Sequence, residues 1–213
     1  MATKGAQTRQ AILDAAITRF GRDGYRATSI ADIARDASVG GTLAYAYFSN
    51  KEALFRAALD EDAAGVIHEG VSSLLAQPTL DDWLPSLMTT LVAAVDHHPL
   101  AKRVLAGLEP EVTGRVLDIP ALAELRKVCA ERLRDGQLEG TARPDVDPVR
   151  IANGVVAIVL SLLMSVVQLG LDVAAEHQLD VAAVLNAAID HAPPALPRAR
   201  PAAPARRRGR QRA

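Results

Sequence analysis

TSIADIARDASVGGTLAYAYFSNKEALF, residues 28–55, holds two short apolar patterns of helical period separated by a tight turn at residues 38–40. Ser29 stands ahead of Ile30, Ile33 and Ala34, with Asp32 three positions on, the order of a helix cap followed by an inward face. The second pattern, residues 41–50, carries small residues, hydroxyls and tyrosines in place of a full apolar stripe. A helix of that composition is suited to lie against a hydrated surface.

On the N-terminal side, Ile12, Ala16 and Phe20 recur at four-residue spacing with Leu13 and Ile17 beside them, which predicts a first helix over residues 7–23, ended by Gly21 and Gly24. On the C-terminal side, Ser49-Asn50-Lys51-Glu52 reads as a capping box, and Leu54, Phe55, Ala58 and Leu59 begin a stripe that runs to about Ala76. Three short helices therefore precede a long fourth one.

The rest of the 213-residue chain continues in helices. Thr79 with Asp82 opens one carrying Trp83, Leu87, Met88, Leu91 and Val95, closed at His97-His98-Pro99, and one or two shorter helices fill residues 100–116. Pro120 at a first-turn position starts a helix with Leu122, Leu125, Cys129 and Leu133 on one face, and residues 136–144 read as loop. Asp147-Pro148 caps the most apolar segment, residues 149–171, which is apolar almost all round and has to be covered on two sides. Asp180 caps a last helix to about Asp190 with Val181, Val184, Leu185 and Ile189 inward, and the Pro/Arg-rich tail, residues 192–213, reads as disordered. With 49% apolar residues, only 3% aromatics and helix formers in the majority, the fold class is all-α, of about nine helices. The chain divides into a head, residues 1–50, whose helix-turn-helix proper spans about 29–48, a body, residues 51–191, and the tail.

Charge follows the same division. Residues 1–56 hold eight Lys/Arg against five Asp/Glu, residues 57–191 nine against twenty, and residues 192–213 seven Arg and no acid. A mildly basic head on an acidic body suits a polyanion at the head, although ordinary solvated surface accounts for the head equally well. The Arg-rich tail either adds salt-sensitive attraction to nucleic acid or merely solubilises.

Several function classes lose their support. Cys129 is the only cysteine, so no internal disulfide or multi-cysteine metal site is available, which fits a reducing, cytoplasmic setting. His68, His97 and His98 lack the spacing of a metal motif, and neither G-x-S-x-G nor G-x-x-x-x-G-K occurs, so no cofactor, no metal and no enzymatic activity are expected. The N-terminus has no apolar leader, and Asn153, Ser161, Ser165 and Gln168 interrupt residues 149–171, so burial is expected there instead of membrane spanning.

The apolar first helix with Phe20 and Gly24-Tyr25, Thr28-Ser29-Ile30 before Asp32-Ile33-Ala34, Val39, Tyr45-Ala46-Tyr47-Phe48 and Lys51-Glu52-Ala53-Leu54-Phe55 together resemble the TetR family of bacterial transcriptional regulators, without a gap over about residues 8–56. The family commonly has Gly where Ser38 stands, Ser where Gly40 stands and Leu where Ala44 stands. Gly40 gives up a side-chain cap on the following helix.

The resemblance implies that the second short helix enters the major groove while residues at helix ends hold phosphates. Gly41, Thr42, Ala44 and Tyr45 match the early, base-facing positions. Small residues let the backbone approach, Thr42 offers a hydroxyl and a methyl, and Tyr45 combines a hydrogen bond with apolar contact. Tyr47 and Lys51 match phosphate-contacting positions, and Thr28 and Ser29 would act likewise; capping for Thr28 and Ser29, and packing for Tyr47, are the competing readings. Leu43, Phe48, Val39 and Ile33 are expected in the core. Lys4 and Arg9 form a flexible arm or are simply solvated.

The resemblance further implies a homodimer, formed through residues 149–171 and 180–190, that binds a double-stranded DNA operator of palindromic sequence and is released by a small, largely apolar effector. The effector pocket would lie among the fourth to eighth helices, with Trp83, Met88, Leu91, Val104, Leu108, Leu122, Cys129, Met164 and Gln168 as candidates. A repressor is the favoured form; an activator, or a dimeric adaptor without an effector, remains open.

Overall fold

Long runs of helix formers broken at Gly, Pro and capping residues give ten α-helices and one 3-10 turn among the described residues, 3–76, 83–113 and 116–190, of the computed structural model. They are α1 (Lys4–Ala27), α2 (Ile30–Asp36), α3 (Gly41–Tyr47), α4 (Lys51–Ala76), α5 (Trp83–Val95), α6 (Pro99–Leu105), α7 (Pro110–Thr113), the 3-10 turn (Val116–Asp118), α8 (Ala121–Glu139), α9 (Pro148–Leu169) and α10 (Leu171–Ile189). The all-α expectation holds. Residues 191–213, with the tail, and the expected cap at Thr79 and Asp82 lie outside the described residues.

Four boundaries differ from the sequence reading. α1 begins at Lys4, where the Thr3 hydroxyl accepts from the Ala6 amide, and it continues past Asp23 to Ala27 across a kink at Gly24. Gly24 sits at φ 82° and ψ 170°, a region essentially restricted to glycine. The cap of α4 is Asn50, not Ser49: its Oδ1 accepts from the Ala53 amide at 2.8 Å. Gly136 lies buried inside α8, which stops only where Gly140 turns left-handed at φ 78°. Finally, Asp180 is interior to α10, because Gly170 at φ 90° turns the chain at once and leaves no loop for a second cap. Asp147 does cap α9, accepting from the amides of Val149 and Arg150.

The head closes around Ile12, Leu13, Ala16 and Phe20 of α1, Ile30, Ile33 and Ala34 of α2, and Ala44 with Phe48 of α3 and its cap. The first turns of α4 complete this core. Phe55 meets Phe20 edge-on with ring centroids 4.9 Å apart and Tyr25 likewise at 5.1 Å, contacts worth about 0.5–1.5 kcal/mol each beyond burial. Arg19 of α1 holds the C-terminal end of α2 through a two-pronged pair with Asp36, at 2.5 and 2.9 Å, which keeps the Asp36 carboxyl below the usual carboxylate range.

In the body α4 packs against α5, α6 and α8, while α9 lies on α8, α10, α5 and α6. α9 is long and apolar enough, by length and composition, to cross a membrane. Its inward face, Ala152, Val155, Val156, Val159, Leu162 and Leu163, is buried in the body core. The opposite face shows Asn153, Gly154, Ala157 and Ser161 to solvent. Ser161 and Ser165 donate back to the carbonyls of Ala157 and Ser161, so they need no outside partner.

Candidate nucleic-acid interface and ligand cavity

α3 is reached through a turn in which Ser38 takes a left-handed conformation, φ 55°, and Gly40 caps the helix without a side-chain bond. Four residues separate Ala44 from Phe48, so both face inward and set the phase of this seven-residue helix. Gly41, Thr42, Leu43, Tyr45 and Ala46 then face outward, Tyr45 with 55% of its surface exposed. Two expectations reverse here. Ala44, proposed to meet bases, is fully buried, and Leu43, expected in the core, is 43% exposed. The small Ala44 takes the inward position, and the larger leucine lies one step round the helix, on the outer face.

Residues 37–50 contain no ionisable group except the two tyrosines. The outer face of α3 therefore offers hydroxyls, a methyl and apolar surface, the means to meet thymine methyls and groove edges without a bidentate cation. Tyr47 is half-buried, its hydroxyl beside Gly5 near the start of α1. Arg9 lies over the Phe48 ring at 5.3 Å, so it is not a free arm.

The flanking groups are more occupied than the sequence suggests. Thr28 is 2% exposed and donates its hydroxyl to the Gly24 carbonyl at 2.8 Å, so its side chain is withdrawn from any phosphate. Ser29 is exposed but caps α2, accepting from the Asp32 amide and donating to its carboxyl, which holds Asp32 below its usual range. Lys51 donates to the carbonyls of Tyr25, at 2.9 Å, and Thr28, at 3.1 Å, and lies 4.3 Å over the Tyr25 ring. Two of its three N–H groups thus tie the α1–α2 link to α4, a role that no spacing rule reveals.

In the body an apolar cavity of about 60 Å³ lies between α4, α5, α6, α8 and α9. Leu59, Ala63, Leu91, Val104, Leu122 and Val159 are among its walls, so three of the nine residues expected there are found. Trp83 and Cys129 line a separate gap of about 10 Å³ with Leu74 and Leu133. Met88 is buried in the core, Leu108 is 58% exposed, Met164 packs against the core from outside, and Gln168 donates to the Leu105 carbonyl at 2.7 Å. Burial pushes the Cys129 thiol up to about 12, which makes it a small apolar filler and a poor nucleophile or ligand.

Residues 12–58 match the sequence pattern of the bacterial regulatory proteins of the tetR family, a span that contains α2, α3 and the core residues that fix them. The head of the chain is similar to those of the tetR family. Among curated relatives it is 30% identical over 155 residues to the A-factor receptor protein of Streptomyces griseus, covering 72% of this chain and 53% of that protein, so the chain spans about half that relative's length. It is 48% identical over 52 residues to the transcriptional repressor ComR of Escherichia coli K12, covering 24% of this chain and 25% of that one. Among solved structures, a TetR-family regulator from Cytophaga hutchinsonii superposes with a TM-score of 0.70 at 21% identity, covering 89% of this chain and 98% of that one, a likeness of fold.

A buried joint connects the cavity to this head. Asp62 of α4 is 4% exposed; its Oδ2 accepts from the amides of Leu100 and Ala101, at 2.9 and 2.8 Å, and its Oδ1 faces His98 Nδ1 at 2.8 Å. A carboxyl on one helix thereby caps another, α6, and satisfies its free N–H groups. The His98 ring fits because residue 65 is glycine: a Cβ there would stand 2.2 Å from His98 Cε1. α6 also presses on α1, with Pro99 2.7 Å from where a Cβ on Gly21 would lie. Beyond α6, Glu109 accepts from Arg103 Nε at 2.7 Å and from the Tyr25 amide at 3.1 Å, just past the kink at Gly24. α6 therefore touches both the cavity wall, through Ala101, Val104 and Leu105, and the head.

Proposed function

We propose that the chain is a transcriptional regulator that binds a palindromic operator in double-stranded DNA as a homodimer in the cytoplasm, a repressor released by a small, largely apolar effector, with a head over residues 1–50 and a sensing and dimerising body over 51–191. The observation that carries the reading is α3: its inward phase is locked by Ala44 and Phe48, and its outer face is left to Gly41, Thr42, Leu43 and Tyr45. These are the residues assigned to base edges. Ser29, Tyr47 and the remaining N–H of Lys51 are assigned to phosphates. For the homodimer, support comes from the exposed small-residue face of α9 and from Val149, Leu169, Leu171 and Val184, large apolar side chains that stand in solvent in the single chain. For the effector, support comes from the cavity and from a curated relative whose name is that of a receptor.

An effector can release DNA only by its differential affinity for the two arrangements of the heads. The cavity of about 60 Å³ is well below the roughly 300–1,000 Å³ of pockets for drug-sized ligands, so binding has to spread α4, α6, α8 and α9. That spreading is the proposed source of differential affinity, since α6 and α4 both reach the head. The small volume also favours a second reading, a dimeric DNA-binding adaptor that needs no effector. Whether the bound dimer represses or activates depends on where its site lies relative to a promoter.

Selection of binding sites from randomised duplexes with the full chain tests the first part. A two-fold symmetric consensus is expected, and Tyr45→Ala should weaken binding to it by about 1–3 kcal/mol with unchanged thermal stability. Absence of any enriched sequence would overturn the reading. A ligand that lowers DNA affinity separates the sensor from the adaptor.

A further inference from the structure

Beside the apolar cavity lies a second hollow of about 340 Å³, lined by Phe55, Arg56, Leu59, Asp60, Asp118 and Ile119, with Pro120 at its edge. Leu59 and Ile119 line both spaces, so they form a shared wall. The inner cavity is bounded by aliphatic side chains alone; the outer one brings three charged groups together. We propose that the two form one binding site for an amphiphile, resting on the effector reading above, in which an apolar tail takes the inner cavity and a head group rich in hydrogen-bond donors, a protonated amine or hydroxyls, takes the hollow.

The charges decide the polarity of the head group. Arg56 and Asp60 lie one turn apart on α4, and Asp118 faces them from the 3-10 turn, two carboxyls against one guanidinium. Neither Asp60 nor Arg56 makes a hydrogen bond or an ion pair within 4 Å among the described residues. Asp60, Arg56 and Asp118 are all exposed, yet crowding by neighbouring atoms raises the Asp60 carboxyl above its ordinary range, and the opposing pull of Arg56 does not cancel it. A carboxyl without a protein donor gains from a ligand N–H or O–H, whereas a carboxylate head group would add a third negative charge to the same space. Placement favours function as well. Phe55, on the hollow's wall, is the ring wedged between Phe20 and Tyr25, so the ligand's polar end sits against the turn of α4 that completes the head.

Decylamine, decanol and decanoate share one tail and differ only in the head group, and calorimetric titration of the full chain below their micellar concentrations separates the contributions. Decylamine should bind tightest, decanol next, and decanoate at least ~10-fold more weakly than decylamine. The double variant Asp60→Asn/Asp118→Asn should bring the three together, and Val159→Trp, which fills the inner cavity, should weaken all of them. Decanoate binding as tightly as decylamine, or discrimination surviving the double variant, overturns the head-group assignment while the cavity stands. If none of the three binds, or if Val159→Trp changes nothing, the cavity itself is not the effector site and both readings fall.

Discussion

Single residues divide into those whose role a spacing rule can reach and those fixed by what packs on them. Ile12, Phe20, Ile33 and Phe48 are core by pattern and core in the structure. Ala44 and Leu43 exchange expected places because a seven-residue helix has only two turns, too few for its apolar positions to define a face. The burial of Thr28 and the anchoring of Lys51 depend on carbonyls at residues 24, 25 and 28, left free where α1 kinks and ends, which no side-chain pattern records. Ser38 makes a different point: its left-handed backbone costs a side chain about 1–2 kcal/mol that glycine avoids. Ser38→Gly is therefore expected to stabilise the protein by about 0.5–1 kcal/mol once the greater freedom of glycine in the unfolded chain is subtracted, read as a higher urea midpoint at unchanged slope.

Among the elements, α4 and α6 define how the body can act on the head. Helix existence and order were legible along most of the chain, and Asp147 and Pro148 marked the start of α9 correctly, whereas Pro99, read as the close of one helix, opens the next. Asp62 was not, since an acid in the run Asp60-Glu61-Asp62 reads as solvated surface until the N-terminus of α6 is seen to end on it. Gly65 is the test of that joint. Alanine is the better helix former by about 1 kcal/mol, yet its methyl would displace the His98 ring from Asp62. Gly65→Ala should thus destabilise the protein by about 1–3 kcal/mol in urea unfolding, against its helix propensity. A stabilised variant would mean that His98 moves freely.

At the scale of the molecule the open question is what covers the outer face of α9. Gly154, Ala157 and Ser161 recur there at spacings of three and four, small enough for another helix to come close, and none of them supports the protomer's own core. Ala157→Arg should leave the thermal stability of the separate chain almost unchanged while converting a dimer to a monomer in sedimentation velocity at micromolar concentration. A wild-type monomer under the same conditions would leave α9 and α10 without their assigned role. The interlock of Phe55 with Phe20 and Tyr25 bears on a different matter, the exchange of parts between proteins with similar heads. A chimera spliced at the α3–α4 loop would carry away the ring that fills its own reading head and receive one shaped for another. A transplant that works has to include α4 through Ala58 and bring matching surfaces for Pro99 and Glu109. New operator preferences should therefore be easier to obtain by substitutions at Thr42, Leu43 and Tyr45 than by swapping modules.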